Sequence, residues 1–185
     1  ALHYALYPED GRGISDKELE TKLSIAVLLV NNGADVNARD LLGQDPLTLA
    51  AGLRKSAALI EMLIGQGAFV NYIAKTSPLM NAVCKNNVEG VKTLLGKGAL
   101  AGLRDRNGNT ALHWAIKHSS AEVFALLYLK AKNEVEGEVE DLKNRAGETI
   151  LGLAQKKGNE AFLMVLEKIK NEKDGRGITR KLDLA

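Results

Sequence analysis

The sequence predicts an all-α fold, built as an array of about five helix-turn-helix units. The first observation behind this is a Leu followed three residues later by an Ala, in the segments "ALHYAL", "PLTLAA", "PLMNAV", "ALHWAI" and "ILGLAQ". The second is their spacing: the middle three begin 32 and 33 residues apart, and the outer intervals are 45 and 39 residues. The third is a glycine after the apolar stretch that follows several of these segments. Near-constant spacing is typical of stacked repeats, in which each unit packs on its neighbours.

Each short segment is predicted to be the first helix of its unit. Helix-capping residues precede the later four segments, namely Asp45, Ser77, Thr110 and Thr149. Pro46 and Pro78 stand at the first helical position, where a missing N–H costs nothing. We expect the Leu of each pair to fill a shared core and the Ala to let helices approach closely. These pairs are Leu2 and Ala5, Leu47 and Ala50, Leu79 and Ala82, Leu112 and Ala115, and Leu151 and Ala154.

The second helices are predicted from apolar stretches that end in "LLVNNGADVN", "MLIGQGAFVN" and "TLLGKGALAG". Gly33, Gly67 and Gly98 fit the left-handed residue that ends a helix. Further glycines recur in the hairpin before the next short helix, at Gly43, Gly108 and Gly147. In the first unit, Ser15 and Glu18 have the spacing of a capping box, which predicts a helix from Asp16 to Asn31.

These segments resemble the ankyrin repeat, whose pattern includes T-P-L-H-x-A and a "GADVN" hairpin. "GNTALHWAI" and "GADVNARD" carry the resemblance, which covers roughly residues 1–170. It implies an ankyrin-repeat solenoid with units near 1–39, 40–71, 72–104, 105–143 and 144–170. It also implies that His3 and His113 bridge backbone groups of neighbouring hairpins. The tail, 171–185, has no repeat signature and is expected either to cap the array or to be mobile.

Two inserts depart from the repeat pattern. The first unit carries about a dozen extra residues, "PEDGRGISDKEL", between its helices. The fourth unit replaces the glycine stop with Ala131 and inserts residues 133–141, in which Glu alternates with Val or Gly. Period-two alternation predicts an extended arm. We expect this arm to be solvated, with contact to the chain's own basic groove or to a basic partner as the alternatives.

Composition limits the class of protein. The 185 residues carry a net charge of +2, which by itself does not indicate nucleic acid binding. The single cysteine, Cys84, cannot form an internal disulfide, which favours a reducing, intracellular compartment. No apolar run approaches a membrane span. Because the chain opens without Met in the middle of a repeat, we interpret it as a fragment. We expect no metal site and no cofactor.

Placed in ankyrin register, the hairpins and short helices are expected to form one concave groove that binds a partner protein. Its first half is apolar and contains Tyr7, Arg39, Leu41, Leu42, Gln44, Leu53, Ile73, Ala74 and Thr76. Its second half is basic and contains Arg104, Arg106, Asn107, Asn109, Lys117, His118, Lys143, Arg145, Glu148, Lys156 and Lys157. Cys84 lies on the same face, and Trp114 is expected in the core. Such a groove suits a peptide or domain with an apolar part and an acidic part.

A few individual residues could carry other chemistry. Lys85 beside Cys84 could lower the pKa of that thiol and make it nucleophilic, but no oxyanion-hole motif accompanies it. Asn37 and Asn71 resemble ankyrin asparagines that asparaginyl hydroxylases modify. The alternative for both is a turn residue without modification. Nucleic acid binding would rest on the basic half of the groove, which lacks interleaved aromatic residues.

The leading hypothesis is therefore a non-enzymatic scaffold that binds a partner protein or peptide and no small-molecule substrate. The alternative is the ankyrin segment of a larger protein, with any catalytic part outside this sequence. Irregular units with insertions resemble the ankyrin effectors that intracellular bacteria deliver into host cells. That resemblance implies the host cytoplasm as the location.

Overall fold

The computed structural model describes residues 1–7, 15–158 and 160–171, the last three of them through their backbone only. Within this range the chain forms α-helices, one 3-10 turn and no β-strand, which confirms the all-α prediction. The helices are α1 Leu2–Leu6, α2 Asp16–Asn31, α3 Pro46–Ala51, α4 Ala57–Gly65, α5 Pro78–Cys84, α6 Val88–Gly96, α7 Ala111–His118, α8 Ala121–Ala131, α9 Ile150–Lys156 and α10 Glu160–Asn171, with the 3-10 turn at Val139–Asp141. Residues 8–14 of the first insert and the tail from residue 172 lie outside the described residues, so the expectations for them stay predictions.

The helices pair in the predicted order, a short one followed by a longer one. The repeats are grouped into two larger compact bodies, which we call the first unit and the second unit. The first unit is Ala1–Ala99, with α1 to α6, and the second begins at Leu100, with α7 to α10. In the first unit α1, α3 and α5 pack in succession, and α2, α4 and α6 do the same. In the second unit α7 packs on α9, and α8 packs on α10. Within each unit, like helices therefore stack on like, as a repeat array requires.

The recurring Leu and Ala residues form the core of each unit. All five Ala side chains of the pairs are buried, and so are four of the five Leu side chains. Leu151 is the exception, because it is only half-buried and the preceding Ile150 fills the core instead. In the second unit the rings of Phe124 and Phe162 meet edge to face, with centroids 4.9 Å apart. A fully buried Leu or Phe side chain contributes about 1.5–3 kcal/mol, so the loss of any one of them would be strongly destabilising.

The helix ends follow the predicted chemistry. The side chains of Asp45, Ser77 and Thr149 accept backbone N–H groups of the first turn, at 2.6, 3.2 and 2.9 Å. Ser15 Oγ accepts the N–H of Glu18 at 3.3 Å, and α2 has the predicted bounds. The glycines after the second helices adopt the left-handed conformation, with φ of +80°, +88° and +86° at Gly33, Gly67 and Gly98. These confirmed caps fix where each helix stops and the hairpin begins.

Three hairpins share one backbone geometry. An oxygen of Asp40, of Asp105 and of Asn144 accepts the N–H groups two and four residues later, at 2.8 Å for the two Asp residues and 3.0 Å for Asn144. A glycine with φ of +75° follows three residues after each of them. The two residues between differ in chemistry: they are Leu41 and Leu42, Arg106 and Asn107, and Arg145 and Ala146. A constant frame therefore presents a variable pair of side chains, which we call the tip pair.

We predict that Gly108→Ala destabilises the protein more than Gly147→Ala does. Both glycines have φ of +75°, where an Ala side chain costs about 1–2 kcal/mol. A Cβ on Gly108 would also lie 2.9 Å from the backbone N of Arg145, whereas a Cβ on Gly147 would meet nothing within 4 Å. Urea denaturation followed by circular dichroism measures the difference, which should exceed about 1 kcal/mol. Equal losses in the two variants would show that the contact with Arg145 is not restrictive.

Candidate functional site

Two histidines serve the fold. His113 is fully buried, and its Nδ1 accepts the N–H of Thr110 at 3.1 Å. The ring is therefore the Nε2–H tautomer, and Nε2 donates to the carbonyl of Glu148 at 3.3 Å. Burial is the largest cause that lowers the pKa of His113. In the first unit, Nε2 of His3 lies 3.0 Å from the carbonyl of Gln44. The expectation that His113 bridges hairpins is confirmed, and His3 contacts the neighbouring hairpin through one ring nitrogen.

Asparagine side chains tie successive hairpins together in the first unit. Asn37 Nδ2 donates to the carbonyl of Gly67 at 2.9 Å, and Asn37 Oδ1 accepts the N–H of Phe69 at 3.1 Å. Asn71 Nδ2 donates to the carbonyl of Gly98 at 3.1 Å. The side-chain amides of Asn37 and Asn71 thus hold successive hairpins together by hydrogen bonds. Hydroxylation of Asn37 and Asn71 stays a prediction.

The tip pair of the first unit is an exposed apolar surface. Leu41 is as exposed as in an open chain and Leu42 is 66% exposed. Beside them the guanidinium of Arg39 lies 4.3 Å from the ring centroid of Tyr72. We call Leu41 and Leu42 the apolar tip, and Arg39 lies beside it. The expectation that Leu53 and Ala74 are also exposed is wrong, since both are buried, and Ile73 and Thr76 are half-buried.

A pocket of about 260 Å³ lies in the first unit, between the ends of its short helices. It is lined by Tyr7, Gln44, Leu49, Leu53, Asn81 and Lys85. Gly52 completes the lining. Tyr7, Gln44 and Leu53 were predicted as partner-binding residues, and the buried Leu53 contributes as pocket wall. Lys85 was missed as a site residue, although it directly follows the predicted Cys84, which is half-buried.

The second unit carries a basic surface around one carboxylate. Lys117, Lys156 and Lys157, which we call the lysine cluster, are exposed. Lys156 Nζ lies 3.7 Å from Glu148 Oε1, and Lys157 Nζ donates to the carbonyl of Lys117 at 3.3 Å. A hydrogen bond from Asn144 is the largest cause that lowers the pKa of Glu148, and the charges of Lys117 and Lys156 add to it. The cluster therefore keeps a net positive charge.

Other predicted residues of the basic half have unequal roles. Arg106, Arg145 and Lys143 are exposed. Arg104 is exposed too, but its Nη1 donates to the carbonyls of Gly108 and Lys143, at 3.1 and 2.6 Å, so it holds two hairpins together.

Asn109 and Trp114 depart from expectation. The expectation that Asn109 is exposed is wrong: it is buried, and its Nδ2 donates to Asp105 Oδ2 at 3.2 Å. Trp114 is not a core residue either. It is half-buried, its indole N–H donates to Asp105 Oδ2 at 3.0 Å, and its ring stacks on exposed His118 with centroids 5.4 Å apart.

The acidic insert packs on the second unit, so the expectation of an extended, solvated arm is wrong. Glu134 Oε2 accepts the N–H of Gly102 at 3.0 Å. Val139 and Glu140 are buried, and the hydroxyl of Tyr128 donates to Glu140 Oε2 at 2.7 Å. Burial, followed by the hydrogen bond to Glu140, raises the pKa of Tyr128. The alternating Val residues face the protein because the insert bends into turns and a 3-10 turn.

Comparison with known families decides the assignment. The family model described as ankyrin repeats (3 copies) matches residues 18–105, 49–138 and 79–176. The chain belongs to the ankyrin-repeat family. Ankyrin repeats are protein–protein interaction modules, and the repeat frame, the caps and the bridging histidines described above agree with this assignment.

Individual relatives are viral and animal proteins. The ankyrin-repeat chain is 35% identical over 128 residues to zebrafish ZDHHC13, whose name places it among the palmitoyltransferases; the match covers 67% of this chain and 20% of that protein. It is 26% identical over 130 residues to FPV223 of fowlpox virus, named as an ankyrin repeat protein, covering 70% of this chain and 83% of the relative. Ankyrin repeat protein OPG189 of variola virus is 30% identical over 122 residues, covering 64% and 21%. The ankyrin-repeat chain thus spans about a fifth of the zebrafish and variola proteins.

In the described part of the chain, no three His, Cys, Asp or Glu side chains come together in a way that could hold a metal ion. No helix of that part has both the length and the apolar character needed to cross a membrane.

We predict that the protein loses stability as the pH falls from about 7.5 to about 5.5. The pKa of His113 in the folded state is below its ordinary value of 6.5. In this range the unfolded chain takes up a proton at this residue that the folded chain does not. Urea denaturation at several pH values measures the slope, and His113→Gln should flatten it. An unchanged slope in that variant would assign the pH dependence elsewhere.

We predict that Tyr128→Phe lowers the free energy of unfolding by about 1–3 kcal/mol, because the buried carboxylate of Glu140 loses a hydrogen-bond donor. Tyr4→Phe is the matched control, since Tyr4 is 86% exposed. Its effect should stay within about 0.5 kcal/mol. Thermal or urea denaturation of the two variants makes the comparison, and equal losses would mean that the hydrogen bond between Tyr128 and Glu140 adds nothing to stability.

Proposed function

We propose that this ankyrin-repeat chain is a non-enzymatic scaffold that binds a partner protein or peptide through its hairpin tips and the exposed ends of its short helices. The observation that carries the proposal is the constant hairpin frame with a variable tip pair. Side-chain hydrogen bonds at Asp40, Asp105 and Asn144 hold the backbone of each hairpin. The exposed residues at the tips can therefore be ordered before binding, which lowers the entropic cost of association.

The apolar tip supports contact with an apolar part of the partner. Adjacent exposed Leu side chains are unfavourable in water, and such patches usually mark an interaction surface. Burial of one Leu side chain is worth about 1.5–3 kcal/mol, so Leu41 and Leu42 together could provide most of the affinity of a short peptide.

The lysine cluster supports contact with an acidic part. An exposed ion pair is worth only about 0.2–1 kcal/mol and is screened by salt. Three lysines around the one carboxylate of Glu148 are therefore better suited to steering and selection of an acidic partner than to tight binding.

The wider context is also a proposal. Because the chain spans about a fifth of two of its relatives, we propose that it is the interaction segment of a larger protein. We place this chain in a reducing compartment, because Cys84 is the only cysteine among its 185 residues. The resemblance to effectors of intracellular bacteria stays a prediction, since the relatives named above are viral and animal proteins.

Selection from an unbiased displayed library of linear peptides, followed by affinity measurements on the selected peptides, tests the scaffold proposal. We expect Leu41→Ser with Leu42→Ser to weaken binding by about tenfold or more, because apolar burial at the tip is lost. We expect Lys156→Gln with Lys157→Gln to weaken binding by about two- to fivefold, an effect that shrinks at high salt.

Matched controls separate these effects from general damage. Leu28→Ser removes a Leu that is 60% exposed on α2 of the same unit, and Lys132→Gln removes an exposed lysine of the second unit outside the cluster. Both should leave binding unchanged. Failure to select any peptide, or equal losses in control and test variants, would contradict the proposal.

A further inference from the structure

We propose that the pocket of the first unit binds one apolar side chain of an extended peptide together with the acidic side chain that follows it. This rests on the proposed function and names the local motif that the scaffold selects. The pocket is built by the C-terminal ends of α3 and α5 and by Tyr7 and Gln44, all within the first unit.

The lining of the pocket suits an apolar peptide side chain. Its volume is about 260 Å³. Leu49 and Leu53 give it apolar walls, and Tyr7 adds an aromatic ring. These surfaces match one aliphatic or aromatic side chain.

The amide groups of the lining match an extended backbone. Gln44 is held through its main chain, because its N–H donates to Asp40 Oδ1 and its carbonyl lies 3.0 Å from His3 Nε2. Among the described residues its side-chain amide makes no hydrogen bond. Asn81 Nδ2 donates to the carbonyl of Thr48 at 2.6 Å, which fixes the Asn81 amide at the pocket. An amide both donates and accepts, as a peptide group does, so Gln44 can pair with the backbone of a bound peptide.

Lys85 decides the charge of the occupant. It is exposed, it is the one charged residue in the lining, and it makes no ion pair within the described part of the chain. A carboxylate next to the apolar side chain would give Lys85 a partner at the rim. Because the amides favour a continuing backbone, we assign this carboxylate to an Asp or Glu side chain and not to the end of a chain.

The test is an NMR titration of the whole ¹⁵N-labelled chain with three probes. They are acetyl-Gly-Leu-Glu-amide, acetyl-Gly-Leu-Gln-amide and acetyl-Gly-Leu with a free terminal carboxylate. We expect the Glu probe to shift the amide signals of Gly52 and Lys85 and to bind about two- to fivefold more tightly than the Gln probe. That preference should vanish in Lys85→Gln and persist in Lys75→Gln, an exposed lysine of the same unit that does not line the pocket.

The outcomes are distinguishable. Equal binding of the Glu and Gln probes, or signal changes confined to other residues, would overturn the proposal. Tighter binding of the free-carboxylate probe would overturn it in favour of a chain end as the occupant. Peptides selected by display could still depend on Leu41 and Leu42 in either case, so the scaffold proposal can stand when this one fails. Unchanged dispersion of the amide signals in both lysine variants shows that they remain folded.

Discussion

The hydrogen bonds by which a side chain of one repeat satisfies the backbone of a neighbouring repeat are the constraint on which this structure depends. Short helices leave most of their terminal N–H and C=O groups without intrahelical partners. Here His113 reaches the carbonyl of Glu148, Asn37 reaches that of Gly67, and Asn87 Nδ2 donates to the carbonyls of Ala51 and Leu53, at 3.0 and 2.7 Å. Each bond contributes only about 1 kcal/mol, but together they fix the register of consecutive hairpins.

Two kinds of position can therefore be distinguished: those whose side chains hold the hairpin backbone by hydrogen bonds, and those whose side chains are free to vary. In the hairpins of Asp40 and Asp105, the tip residues Leu42 and Asn107 contribute only their backbone N–H groups to the closure, which any residue but proline can supply. The acidic insert shows the same constraint met in another way. Gly102 stands where the two preceding hairpins carry Asn37 and Asn71, and Glu134 of the insert supplies the acceptor for the N–H of Gly102. The insert is therefore part of the frame.

The helices and their ends could be predicted from the sequence, but the burial of several side chains could not. Local chemistry predicts the caps and left-handed glycines, so Ser15, Gly33 and the bounds of α2 were correct. Burial depends on neighbours in space, which a repeat register supplies only on average. For that reason the register wrongly predicts Leu151 and Trp114 in the core and Asn109 on the surface. The alternation of Glu with Val or Gly in the insert predicts an extended, solvated arm. A period-two pattern does not say whether one face of the segment meets water or packs on the second unit. The pocket required the joint placement of α3 and α5, which no single motif encodes.

The pocket and the apolar tip together suggest how such a frame can discriminate between ligands. Burial of one apolar side chain is worth several times an exposed ion pair, so apolar contacts would dominate affinity in the first unit. A single cation such as Lys85 then acts chiefly by excluding basic ligands. A basic ligand residue placed against Lys85 would lose its hydrating water without gaining an oppositely charged partner. In a repeat protein this arrangement has a further consequence. Lys85 is the C-cap of α5, and its backbone N–H donates to the carbonyl of Asn81, but its side chain is exposed. The charge of that side chain can therefore change while the helices keep their packing. Selectivity can therefore change at such positions while the stack of repeats is preserved.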